Sequence, residues 1–179
     1  MPKQMKLEFV RNRLPVCYRH QRFFRWFMIA ISFMIVVYSI YFMIRFVSSE
    51  TSTIFKLLPL IIAFVGLESV LRKITSLNSV TFEKDELVLG FIAKRAIHIP
   101  YENITGLLLY RKITFYFGIE YLDNKGNPKN FLTHASFPHT MEIILNLADM
   151  APHAKIPEKM QSVVDYLKEG AKNNVRQGS

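Results

Sequence analysis

From Trp26 to Ile44 the chain runs nineteen residues without a charged side chain, and a second apolar stretch, Ile54 to Leu71, follows after a short polar turn. A helix rises about 1.5 Å per residue, so roughly 20 apolar residues cover a hydrocarbon core of about 30 Å. The first run meets that length. The second carries Lys56 and Glu68 near its ends and Pro59 in its first turns. Lys56 can snorkel outward along its aliphatic stem, proline is tolerated early in a helix, and Glu68 falls about one turn from the far end. Two crossings are therefore expected, over 26–46 and 54–71, joined by an external turn at 47–53. A single span beside a buried core helix would use only Leu57 to Leu67. A cleaved signal peptide would need a shorter apolar run, nearer Met1, with small residues after it.

Orientation follows from the cations. The arm 1–25 holds Lys3, Lys6, Arg11, Arg13, Arg19, Arg22 and Arg25 against the single acid Glu8, whereas the turn 47–53 has no lysine or arginine. Positive charge stays inside. Both termini and everything from Ser79 onward are expected in the cytoplasm, with Arg72 and Lys73 marking the inner end of the second span. Arg22, Arg25 and Trp26 are expected as interfacial anchors.

The net charge of +9 is concentrated beside the membrane, because residues 79–154 hold seven cations against eight acids. A nucleic-acid partner would need a basic face on the folded domain, so none is expected. Anionic headgroups attract juxtamembrane cations by about 1 kcal/mol each, and topology alone explains the same charge equally well. Cys17 is the sole cysteine, so an internal disulfide and a multi-cysteine metal site are excluded; an inert thiol is a simpler reading of it than an acylation site.

From Ser79 the pattern changes to period two. Runs at 80–83, 86–92, 96–99, 104–110, 113–122 and 129–133 are rich in β-branched and aromatic residues and separated by polar turns, the clearest being Asp123-Asn-Lys-Gly-Asn127. Spacings this short leave no room for crossover helices, so the six strands form an antiparallel meander. Ser136-Phe-Pro138 has the form of a helix start, and Met141, Ile144, Leu145 and Ala148 recur at helical spacing to give one apolar stripe. A strongly bent sheet closed at one end by that helix buries both patterns in one core.

Short strands, the run Ile99-Pro100-Tyr101-Glu102-Asn103-Ile104, a glycine-containing hairpin and a closing helix ending near Ala151-Pro152 resemble the bacterial pleckstrin-homology-like (PH-like) domains, many of which follow two transmembrane helices. The resemblance covers 79–154 and the hairpin before it. It implies an α+β membrane protein: a two-helix hairpin, then an antiparallel PH-like β-barrel or bent sheet capped by a helix, in a bacterial inner membrane. It also implies self-association or partner binding and no known chemistry. The turn Phe82-Glu-Lys-Asp-Glu86 carries three acids against one base, which disfavours specific inositol-phosphate recognition.

In a meander, successive turns alternate between ends, so Lys94-Arg95 and Arg111-Lys112 are expected at the end where the first strand begins, tethered to Arg72 and Lys73 by about six residues or at most roughly 20 Å. These basic turns are expected to face lipid while Asp85, Glu86, Glu102 and Asp123 face the cytoplasm; solvated turns without a role fit the residues as well. Residues 155–179 extend the pattern. Ile156, Met160, Val163, Val164 and Leu167 share one helical face that packs on the sheet or the inner leaflet, or binds a partner, and 173–179 reads as a disordered tail. In the N-terminal arm, Lys6 to Val10 suits an edge strand and Tyr18 to Arg25 a prolongation of the first span; the sequence does not decide.

Catalytic patterns are absent. His98, His134, His139 and His153 have no spacing that puts two on one helix face, and neither HExxH, GxSxG, Walker nor GxGxxG occurs. No metal, cofactor or catalytic residue is expected. Glu68 is the ionisable group placed to make an intramembrane polar contact, although an interfacial acid explains it more simply. Three functional readings follow: a noncatalytic inner-face module that binds lipid, itself or a protein partner; an accessory, assembly or immunity subunit of a larger membrane complex; and, remotely, a membrane enzyme.

Overall fold

The computed structural model describes residues 10–48, 50, 52–111, 114–158, 160–162 and 164–165, without the side chains of Asn12, Arg22 and Arg111. In chain order the elements are β1 (Val16–Arg19), α1 (Arg22–Phe46), α2 (Thr53–Thr75), β2 (Leu77–Phe82), β3 (Glu86–Phe91), β4 (Ile97–Pro100), β5 (Ile104–Arg111), β6 (Phe115–Leu122), β7 (Pro128–His134) and α3 (Thr140–Met150). The chain divides into two units. One comprises His20–Asn78 and Phe91–Arg95, the other Met1–Arg19, Ser79–Gly90 and Ala96–Ser179.

The first unit is a helical hairpin. At 25 and 23 residues, α1 and α2 extend about 37 and 34 Å, and both are long and apolar enough to cross a membrane. Their buried seam is largely polar or small, with Ile29 as its large apolar member. On α1 it holds Arg25, Ile29, Ser32 and Ser39, and on α2 Pro59 and Gly66, at the three-and-four spacing that lets two helices meet along one stripe. A Cβ on Gly66 would lie 2.8 Å from Val36 Cγ2 and 3.4 Å from the Ser32 carbonyl oxygen, so glycine is what permits this approach. Ser32 Oγ lies 3.3 Å from Ser69 Oγ across the seam. Large apolar side chains point the other way: Phe33, Met34, Tyr38, Phe55 and Phe64 are 59 to 70% exposed.

The second unit contains two antiparallel sheets, ordered β1-β2-β3-β4 and β5-β6-β7. The expected strands are present to within a few residues, but two features differ from the sequence reading. First, β1 comes from the N-terminal arm and pairs with β2 in the register Val16↔Phe82 and Tyr18↔Val80. The edge strand is therefore at 16–19; Val10 begins a 3-10 turn and 6–9 lie outside the described residues. Tyr18 and Arg19 do not prolong α1. Second, the described strands form two separate sheets and neither a closed barrel nor a single meander. After Pro100 the chain makes a 3-10 turn at Tyr101–Asn103 and starts a separate sheet. β4 and β5 are thus not paired, and the free side of β5 bonds Lys155 instead: Lys155 N–H to the Thr105 carbonyl and Leu107 N–H to the Lys155 carbonyl, both at 2.9 Å.

The inward faces of both sheets supply one core with Phe82, Leu87, Ile99, Ile104, Leu107 and Ile119, each at most 1% exposed. α3 adds Ile143, Ile144, Leu145, Leu147 and Ala148, whereas Met141, expected on that stripe, is 44% exposed. The helix starts at Thr140, not at the Ser136-Phe-Pro138 signal. Two turns come first, Phe137 N–H to the His134 carbonyl at 3.1 Å and Thr140 N–H to the Phe137 carbonyl at 3.3 Å, and they bury Phe137 before the helix begins. His139 then enters the helix with φ of 59°. Asn146 is 1% exposed; its Oδ1 accepts from Val10 N–H at 2.9 Å and its Nδ2 donates to the Glu142 carbonyl at 2.8 Å, which ties the N-terminal segment to α3. Met160 and Val164 are also buried. Val163, Leu167 and the tail 173–179 lie outside the described residues.

The β6–β7 connection has the chemistry its sequence suggested. Asp123 Oδ1 accepts from the N–H groups of Lys125 and Asn127 at 2.8 and 2.9 Å, and Oδ2 pairs with Lys129 Nζ at 3.1 Å. Gly126 takes a φ of 78°, open to glycine at little cost. The amide bonds from Asn127 and Lys125 hold the Asp123 carboxyl down at about 2.

Candidate functional site at the basic end of the helical hairpin

A helix leaves its last four carbonyls without intrahelical partners and carries a partial negative charge at that end. In α2 the carbonyls of Lys73 and Ile74 are taken up by α1 and by a returning turn. The Arg25 guanidinium donates to the carbonyl oxygens of Lys73, Ser76 at 2.9 Å and Leu77 at 2.8 Å, and to Ser76 Oγ at 2.9 Å. Ser76 N–H donates to the Arg72 carbonyl at 3.0 Å, and Ala93 N–H, from the turn Phe91–Arg95, to the Ile74 carbonyl at 3.1 Å. Arg25 is 8% exposed. It is turned inward as a helix cap, not outward as the anchor expected from its place in the sequence, while Trp26 is 54% exposed on the outer surface of α1.

Only Ile74, Thr75 and Ser76 lie between Lys73 and the start of β2, where the sequence suggested a tether of about six residues from Arg72 and Lys73. Of the cations singled out by sequence, Lys94 and Arg95 are exposed on the turn that bonds Ile74, and so belong to the same unit as Arg25, Arg72 and Lys73. Arg72 is exposed and pairs with Glu68 one turn earlier, so the Glu68 contact is made within α2. Lys73 turns back along the helix, with Nζ 2.7 Å from Ser69 Oγ and 3.4 Å from Ser32 Oγ. Arg22 opens α1. Arg111 ends β5 in the other unit, and Lys112 lies outside the described residues. Burial and, second, the Arg25 charge lower the pKa of His20, which stands just before α1 with its N–H 3.1 Å from the Asn78 carbonyl.

The sheet unit has a polar cleft of about 750 Å³ lined by Arg11, Glu83, Asp85, Glu86, Tyr101 and Glu102, among others. Tyr101 donates its hydroxyl to the Glu83 carbonyl at 2.9 Å. Burial, followed by the charges of Glu83, Asp85 and Glu86, raises its pKa. Three of the acids expected to face the cytoplasm, Asp85, Glu86 and Glu102, meet here, while Asp123 is held in its own hairpin. His98 is exposed and contacts Glu86, Nδ1 to Oε1 at 2.8 Å. Among the described residues no group of three or more His, Cys, Asp and Glu is arranged to hold a metal ion.

Sequence reasoning located the cations but not the separate roles they take. Arg25 as a cap and Lys73 as an inward-turned ammonium both depend on which faces of α1 and α2 meet. The one available signal was the heptad-like recurrence of Arg25, Ser32 and Ser39 within an apolar run. The chain matches none of the protein-family models and none of the curated proteins with which it was compared.

Proposed function

We propose that this chain is a two-span membrane protein whose sheet unit is a noncatalytic, PH-like binding module on the cytoplasmic face of a bacterial inner membrane. The observation that carries this reading is the inverted packing of the hairpin. Its buried seam holds Arg25, Ser32, Ser39 and Gly66 beside Ile29 and Pro59 while its surface is aromatic and aliphatic, and only 11% of the most apolar window of either candidate span is buried. A core helix of a water-soluble protein shows the opposite arrangement, whereas small and polar contacts inside and apolar side chains outside suit a helix pair in lipid. The excess of cations at the end of Arg22, Arg25, Arg72 and Lys73, against Arg45 and Lys56 beside the connecting turn, supports an orientation with both termini inside. Two antiparallel sheets followed by a helix support the PH-like likeness, and the module acts through anionic headgroups, a second copy or a protein partner.

A specific feature favours a second reading, that of an accessory subunit in a larger complex. A groove of about 620 Å³ opens between the helices near their connecting turn, lined by Tyr38, Phe42, Phe55 and Pro59 among others, and such a groove suits a foreign transmembrane helix. Alkaline carbonate extraction followed by mild-detergent copurification tests both. Retention in the pellet supports membrane insertion and release into the supernatant refutes it; a stoichiometric foreign partner favours the subunit reading.

A further inference from the structure

The hydrogen positions around Lys73 can be assigned by elimination. Ser32 Oγ donates to the Met28 carbonyl at 2.9 Å, so in the 3.3 Å contact between the two serines the Ser69 hydroxyl is the donor. Both oxygens therefore accept from Lys73 Nζ. An ammonium has three N–H donors; two are directed at serine hydroxyls, and no acceptor among the described residues takes the third. Among the described residues of the hairpin unit no carboxylate pairs with Lys73. The acids of the hairpin unit are Glu50, in the turn at the opposite end, and Glu68, paired with Arg72 on the exposed flank. The nearby Arg25 adds a second positive charge, already engaged by carbonyl oxygens.

A cation turned into an apolar helix pair with hydroxyl partners alone lacks a countercharge, and such groups are stable where an anion completes their shell. Lys73 stands two residues from the end of α2, about 3 Å along the axis, which is headgroup depth in a spanning helix. We infer that Lys73, held in place by Ser69 and Ser32, binds a phosphodiester oxygen of a membrane phospholipid lodged against the seam of α1 and α2. The inference rests on the membrane reading above. It makes Lys73 a ligand-binding residue and the two serines positioning residues, and it distinguishes Lys73 from its exposed neighbour Arg72.

The test is native mass spectrometry of the full chain, purified in mild detergent and titrated with phosphatidylglycerol, alongside Lys73→Met, Ser69→Ala and Arg72→Met. Wild type is expected to retain a phospholipid that Lys73→Met binds about tenfold more weakly, the loss of one charge-assisted hydrogen bond. Ser69→Ala, which keeps the ammonium but removes its seat, is expected to show a smaller loss, and Arg72→Met none. Excess inorganic phosphate should leave the lipid in place. Equal retention by Lys73→Met, or by Ser69→Ala should the former misfold, overturns the inference; so does an equal loss in Arg72→Met, or displacement by phosphate, which would mark a free-phosphate site. Should the wild-type chain be released by carbonate, it is the membrane reading that fails.

Discussion

Replacing Arg25 by methionine keeps the length and apolar stem of the side chain and removes the cap of α2. Three main-chain carbonyls, those of Lys73, Ser76 and Leu77, then lose a charged donor in a site where the residue is 8% exposed. A hydrogen bond to a charged group contributes about 1.5 to 3 kcal/mol, and each buried acceptor left unsatisfied costs about 1 to 3. Because one guanidinium serves all three acceptors, these terms do not simply add, and a loss of about 3 to 5 kcal/mol is expected. In a chain of 179 residues the lower end of that range corresponds to a fall in Tm of about 6 to 12 °C. The assay is thermal unfolding of the full chain in detergent, with Arg72→Met as the control; Arg72 and Glu68 form an exposed pair worth at most about 1 kcal/mol. Arg25→Lys, which restores charge without the planar fork, should recover only part of the loss. If Arg25→Met unfolds within about 2 °C of wild type, or no earlier than Arg72→Met, the capping argument is wrong.

Three other outcomes are expected. Gly66→Leu forces α1 and α2 apart and should destabilise the hairpin by about 1 to 3 kcal/mol; disulfide formation between cysteines placed at Ser32 and Ser69, in a Cys17→Ser background, should slow, and an unchanged rate would contradict the close approach. Asn146→Leu leaves the Val10 N–H without its acceptor and should cost about 1 to 3 kcal/mol, with faster hydrogen exchange at Val10 as the local sign; equal exchange would refute the tie. His20 has a folded pKa lowered mainly by burial and then by Arg25, so its contribution is present above the ordinary value of 6.5 and is lost as the pH falls through the lowered one. Tm should therefore drop on acidification below pH 6.5, and His20→Phe should flatten that dependence; an unaltered slope would assign it elsewhere.

Local pattern was legible and long-range pattern was not. The strands from β2 to β7 appear in the sequence because period-two alternation and turn residues such as Asp123 and Gly126 act over a few positions. Strand β1 did not. Its four residues have no strong alternation, and its partner Phe82 lies beyond both helices of the hairpin, so only the closed fold reveals the pairing. The break between β4 and β5 was hidden for a related reason: Ile-Pro-Tyr-Glu-Asn reads as a turn, and whether a turn joins paired strands or separates two sheets depends on what covers the far edge, here Lys155. The start of α3 was misplaced because Pro138 suits a first helical position, yet burying Phe137 required two turns before it. At the basic end of the hairpin, charge was visible but direction was not. Arg25, Arg72 and Lys73 are equivalent in a composition count, and it is helix register that makes one a cap, one an exposed ion pair and one an inward-pointing ammonium.

The central claim is that the two helices span a bilayer and leave the sheet unit inside. Cys17 is exposed and lies in the strand that joins the sheet unit, so it reports this directly through a membrane-impermeant maleimide added to intact cells producing the full chain. The account predicts no labelling of Cys17 until the membrane is opened, and ready labelling of Glu50→Cys in a Cys17→Ser background. Labelling of Cys17 from outside, or equal protection of both positions, would contradict it.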